Sequence, residues 1–168
     1  MRFTLPLALA LIAVSAPATA REALGMFGQW GAFRDSAVPR CYAIAMAEAP
    51  RHTLSGSKRE TEPYADVGTW PVRAIRGAVH FRLSHRVAPA AAIQLSLAGE
   101  HYRLAGAGLD AWSADARMEA AIVAAMRSAD TMTLSSHDRA NKPFADAYVL
   151  SGAATAMDAA ALSCARTR

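Results

Sequence analysis

The chain has 168 residues, 18 Lys and Arg against 14 Asp and Glu, a formal charge of +4 and two cysteines. That length fits a single domain with a sizeable core, and a positive balance this mild excludes a nucleic-acid-binding domain as the default reading. It leaves room for weak attraction to anionic envelope polymers.

Met1, Arg2 and Phe3 carry one positive charge and precede an apolar run over residues 5–16, followed by the small residues Ala18-Thr19-Ala20. This pattern predicts a secretory signal over residues 1–20, cleaved after Ala20, and a single mature domain over residues 21–168. The run is shorter than the roughly 18 to 20 residues a membrane span needs, so no transmembrane anchor is expected. Arg21 stands at the first mature position, where a cysteine would have offered a lipid attachment point. The expected location is the periplasm or the medium, with outer-membrane association peripheral at most.

In the mature chain, residues 27–33 and 39–46 read as two strands, and residues 48–67 as a long polar loop with Pro50, Gly56 and Pro63. After Gly77, Val79, Phe81 and Leu83 alternate with His80, Arg82 and Ser84. Ile93, Leu95 and Leu97 repeat the pattern, and beyond the turn at Ala98-Gly99-Glu100 so do Tyr102 and Leu104 against His101 and Arg103. These segments predict a meander with one wet face rich in Arg and His. A short strand over 108–112 follows, then a helix capped by Ser113 with Met118, Ile122, Ala125 and Met126 on one stripe. Residues 131–135 and 144–150 form a predicted hairpin, and a last helix from Ala153 places Met157, Ala160, Ala161 and Cys164 on one side. The predicted fold is mainly β, a sandwich or partly open barrel of about seven or eight antiparallel strands with two helices packed on it.

Export permits a disulfide, and a Cys41 to Cys164 bond would close a loop of about 124 residues, for which chain entropy gives roughly 4 to 5 kcal/mol. The two residues lack the Cys-x-x-Cys spacing of a redox pair.

Cys41-Tyr42, the arginine-flanked strand leading into residues 93–99, Ala111-Trp112, the run Ala120-Ala121-Ile122-Val123-Ala124-Ala125-Met126-Arg127 with Thr131-Met132, and residues 146–152 before an alanine-rich helix ending in Cys164 share an order and spacing. In these segments the chain resembles the invasion-associated locus B family over about two thirds of its mature length. It departs at Ala45-Met46-Ala47 and Ala129, where the family carries Ser-x-Pro and glycine, and over residues 51–76. The resemblance implies an exported, mainly β domain of the bacterial envelope with no assigned catalytic activity.

No catalytic residue, metal or cofactor is expected. His80 and His85 differ by an odd number of residues and would project to opposite faces of one strand, so they cannot share an ion; His80 and His101 are the pair that adjacent strands would bring to one face. Ser55-Gly56-Ser57-Lys58 formally matches the Ser-x-x-Lys of penicillin-recognising enzymes without their companion motifs or size, which makes a hydrolase using Ser55 and Lys58 the weakest of three functional readings. Trp30, Trp70 and Trp112 with Tyr42, Tyr102 and Tyr148 compose either a core or a carbohydrate-stacking platform, and Trp70 beside Arg73 and Arg76 is the one marked as exposed. The leading reading is a non-catalytic envelope or secreted interaction protein whose partner contacts fall on Trp70, Arg73, Arg76, His80, Arg82 and Arg103. The alternative is a binder of an anionic envelope polymer, lipopolysaccharide or wall glycan, through the same arginines.

Overall fold

The structure, a computed structural model, describes residues 21–49 and 58–165. The expected signal and Ser55 lie outside the described residues. Ten strands are present: β1 (Glu22–Phe27), β2 (Trp30–Asp35), β3 (Arg40–Met46), β4 (Tyr64–Trp70), β5 (Ile75–Arg82), β6 (Ile93–Leu97), β7 (Glu100–Ala107), β8 (Asp110–Trp112), β9 (Thr131–His137) and β10 (Pro143–Val149). Two helices accompany them, α1 (Ala116–Met126) and α2 (Ala153–Ala165). All strands join one open antiparallel sheet in the order β1-β2-β3-β4-β5-β8-β7-β6-β9-β10.

The mainly β class, the two helices and the disulfide are as the sequence indicates, but the strand count exceeds seven or eight for two local reasons. Residues 27–33 are not one strand: Gly28, at φ 59°, takes a left-handed turn that pairs Phe27 with Trp30 and makes β1 and β2 a hairpin. The expected loop over 48–67 ends early, because β4 begins at Tyr64 and places Ala65 and Val67 inward while Tyr64 and Trp70 face out. A second correction concerns the meander. β6 does not lie beside β5; β8 and β7 intervene, so His80 and His101 are not on adjacent strands.

The sheet doubles back on itself through β7, whose residues 100–104 pair with β6 and 105–107 with β8. The two halves meet at several points. Trp30 Nε1 donates to the Val149 carbonyl at 2.9 Å, Glu48 N–H donates to the Ala147 carbonyl at 2.8 Å, and the Phe81 and Tyr148 rings stand 6.5 Å apart. Trp30, Phe81, Leu83, Leu95, Leu97, Met132, Leu134 and Tyr148 fill the space between. Gly152, at φ 91°, is where the end of β10 crosses the first hairpin; a Cβ there would sit 1.9 Å from the Phe27 carbonyl oxygen, which only glycine avoids.

α2 lies over β1 to β4 with Ala153, Ala156, Met157, Ala160 and Cys164 buried, while Ala161, expected on that stripe, is exposed. Small residues on both partners allow a close approach, since the strands beneath offer Ala32, Ala43 and Ala65. The Cys41–Cys164 bond, with Cα atoms 5.8 Å apart, fastens the helix to β3. α1 is capped by Asp115, which accepts from Met118 N–H at 2.8 Å, rather than by Ser113. Ser113 instead donates to Glu119, whose Oε2 also accepts the Val79 N–H, and this ties α1 to β5 above the buried Ile122 and Met126. Among the described residues no helix is long and apolar enough to cross a membrane.

Removing the bond by the Cys41→Ser and Cys164→Ser pair should lower unfolding free energy by about 4 kcal/mol, measured by urea titration. A loss below about 1 kcal/mol would mean that the contacts of α2 alone carry the closure.

Candidate functional site

Strand register separates the two faces of β2, β3, β4, β5 and β8 into rows. On the inner face Ala32, Ala43, Val67 and Val79 are cross-strand neighbours, and so are Ala45, Ala65, Phe81 and Ala111. On the outer face the rows read Phe33, Tyr42, Gly68, Ala78; then Gly31, Ile44, Asp66, His80, Trp112; then Met46, Tyr64, Arg82, Asp110. The inner rows are wholly apolar and the outer rows aromatic and charged. Two glycines shape the outer face: a Cβ on Gly68 would come within 2.6 Å of the Trp70 ring and one on Gly31 within 2.5 Å of Phe33, so both rings lie across bare backbone.

At the centre His80 sits between two carboxylates, with Nδ1 2.9 Å from Asp66 Oδ2 and Nε2 3.1 Å from Asp110 Oδ1. An ionised carboxylate only accepts, so the imidazolium, with two N–H donors, is the form that satisfies both contacts. Burial opposes the charge on His80, but the hydrogen bonds and charges of Asp66 and Asp110 outweigh it and hold its pKa above the ordinary histidine value. Arg82 Nη1 donates to both oxygens of Asp110 at 2.9 and 2.8 Å. Burial of Asp110 is outweighed by Arg82 and His80, which keep its carboxyl below the usual range. The Tyr64 ring meets His80 edge-on at 5.7 Å and Trp112 lies 5.5 Å from it at a tilt of 32°. Trp112 is 46% exposed and so offers an indole face to solvent beside His80.

Arg40 completes the face from the edge of β3. Its guanidinium stacks 4.3 Å over the Tyr42 ring and 5.8 Å from that of Trp70, and its buried Nε has no hydrogen-bond partner. No carboxylate among the described residues pairs with it; Asp35, its cross-strand neighbour, is engaged by Arg21 at 3.7 Å. Arg40, Tyr42, Tyr64, Trp70, His80 and Trp112 line one shallow hollow of about 410 Å³, with Arg21, the cation held by Asp35, also on its wall.

Of the six residues singled out from the sequence, Trp70, His80 and Arg82 fall on this face. Arg73 lies in the exposed turn Pro71–Arg73. Arg76 stands at the rim of a separate, more apolar groove of about 630 Å³ that runs past Val123, Met157 and Ala160. Arg103 borders a third hollow of about 390 Å³ with Arg139. Arg40, Tyr64, Asp66 and Asp110 were not marked by sequence reasoning, and Trp112 only as one of six aromatics of a core or a stacking platform. The signal that finds them is shared parity, since 40, 42, 64, 66, 70, 80 and 112 are all outward positions once β4 is recognised.

A second polar cluster lies inside. Asp146, fully buried at 0% exposure, accepts the Ser84 N–H at 2.9 Å, and Ser84 Oγ lies 3.0 Å from His85 Nδ1. The residue types are those of a hydrolase triad, but the order is not. The aspartate binds the serine rather than the histidine, and all three are buried, so the group terminates β5 and presents no nucleophile to solvent. Lys58 is exposed. Among the described residues no group of three or more His, Cys, Asp or Glu is placed to hold a metal ion.

No family model, curated protein or solved structure matches the chain.

His80 should impose a defined pH dependence. Because its folded pKa is raised, its stabilising contribution is complete below the unfolded value of about 6.5 and disappears as pH climbs through the folded value. The stability gap between the native chain and His80→Gln, from urea titrations at pH 5.5 and at pH 9, should therefore shrink at the higher pH; a constant gap would refute the ionic role. Burial raises the Asp146 pKa, so this residue acts with the opposite chemistry and the same slope: the native state holds the proton more tightly, and stability declines as pH rises past the ordinary carboxyl value. Asp146→Ala strands the Ser84 N–H and should cost about 1 to 3 kcal/mol in chemical unfolding, which Asp146→Asn should largely spare while flattening the acid-side slope.

Proposed function

We propose that the chain is a non-catalytic exported interaction protein of the bacterial envelope, similar in kind to the invasion-associated locus B family, and that it engages its cell-surface partner through the outer face around His80. The observation that carries this reading is the contrast between the two faces of one half-sheet. The inner rows meet the demands of the core, while the outer rows expose Trp112 and Met46 beside an ordered ionic network. Exposed apolar area framed by polar groups in fixed positions is the usual composition of a recognition surface. Periplasmic or secreted location is supported by the Cys41–Cys164 bond, because such bonds persist in oxidising compartments.

The anionic-polymer reading through Arg82 and Arg103 is less well supported. Asp110 neutralises Arg82, and Arg103 belongs to a different hollow. Neither residue offers a free cation to the face.

Crosslinked pull-down from periplasmic and outer-membrane fractions, with the oxidised domain and with Trp112→Ala, tests the proposal. Partner recovery should fall about tenfold in the variant, equivalent to about 1.4 kcal/mol, with thermal unfolding unchanged. Recovery that ignores Trp112, or turnover of a captured component, would overturn it.

A further inference from the structure

Among the described residues of the outer face, Arg40 has a buried donor left without a partner. Asp66, His80, Asp110 and Arg82 satisfy one another in a closed lattice. Arg40, by contrast, is held against Tyr42 and Trp70 by ring contacts, with a buried Nε that donates to nothing. A guanidinium fixed by aromatic faces has already lost much of its rotamer freedom, and its planar fork matches a carboxylate in two parallel hydrogen bonds. It opens on the same hollow as the half-exposed Trp112.

The remaining walls narrow the occupant. An acyl chain would take solvent from the charged edges of Asp66 and His80 and would leave the Arg40 guanidinium without an anion. A nucleic acid needs an array of cations, and here the lattice cancels its own. A pyranose ring meets both demands at once: its C–H face stacks on an indole, and its hydroxyls hydrogen-bond to water, to the Tyr64 hydroxyl and to the carboxylate edges. Of the two arginines on the wall, Arg21 is held by Asp35 and Arg40 has no carboxylate among the described residues, which calls for a negative charge on the saccharide.

We infer that the hollow lined by Arg40, Tyr42, Trp70, His80 and Trp112 is a binding site for an acidic saccharide, with a sugar ring on Trp112 and a carboxylate of the same oligomer on Arg40. This rests on the reading of the outer face as the recognition surface and names its ligand class. The site differs from a general affinity for polyanions. It depends on one arginine and on a ring, and the exposed Arg103 takes no part.

The test is calorimetric and fluorescence titration of the oxidised domain with oligogalacturonate and with a neutral oligosaccharide of equal length, at about 0.15 M and 0.6 M salt. The acidic oligomer should bind at least about tenfold more tightly than the neutral one, and Arg40→Gln and Trp112→Ala should each remove about tenfold or more. Arg40→Lys keeps the charge without the fork, so it should recover only part of the loss and serves if Arg40→Gln fails to fold. Arg103→Ala should change nothing. Equal affinity for the two oligomers, no binding of either, or a loss with Arg103→Ala as large as with Arg40→Gln would overturn the inference. If saccharide fails but envelope capture still depends on Trp112, the ligand class falls and the recognition face stands; if capture also fails, both fall.

Discussion

The architecture depends on one backbone-to-backbone crossing, where Gly152 passes the Phe27 carbonyl with no space for a side chain. That contact brings the end of β10 onto the first hairpin and sets Trp30 where its indole N–H reaches the Val149 carbonyl. From this point α2 can run back over β1 to β4, and Cys164 arrives beside Cys41. The disulfide secures a path that the glycine makes sterically possible. A bulkier residue at 152 would separate the layers before any covalent link could form.

Closure on one side explains the freedom of the other. The inner face of β2 to β5 is sealed by α2, α1 and the doubled-back strands, so its residues are selected for size alone. The outer face has no such neighbour among the described residues, and its side chains organise one another instead. His80 links two aspartates, Asp110 links His80 to Arg82, and rings lie over Gly31 and Gly68 where no Cβ lifts them away. Each group is positioned by at least one fixed partner, which limits the ordering a ligand must impose on binding.

Much of the fold was legible where alternation is strong. Val79, Phe81 and Leu83, and Ile93, Leu95 and Leu97, declared their strands and faces; Ile122 and Met126 declared the buried side of α1. β4 was hidden because its inward residues are Ala65 and Val67 and its outward ones include Asp66 and Gly68, a weak contrast that reads as loop. Strand order was hidden for a different reason. Sequence proximity favours pairing β5 with β6, whereas the three residues of β8 carry too little pattern to announce that they insert between. The site inherited both losses. Without β4 there is no Asp66 or Tyr64 beside His80, and without the placement of β8 next to β5 there is no Asp110, so histidine and arginine looked like independent solvated residues rather than members of a lattice.

The two-cysteine composition also governs how the molecule matures. Contacts between the first hairpin and the last helix are the most distant in sequence, so the domain is of the slow-closing, high-contact-order kind, open until its final segment is available. A chain with four or more cysteines admits alternative pairings and can need reshuffling. Here Cys41 and Cys164 admit a single intramolecular pairing, so an oxidant suffices and no isomerase has an error to correct. The distant placement that slows closure thereby makes the covalent outcome unambiguous.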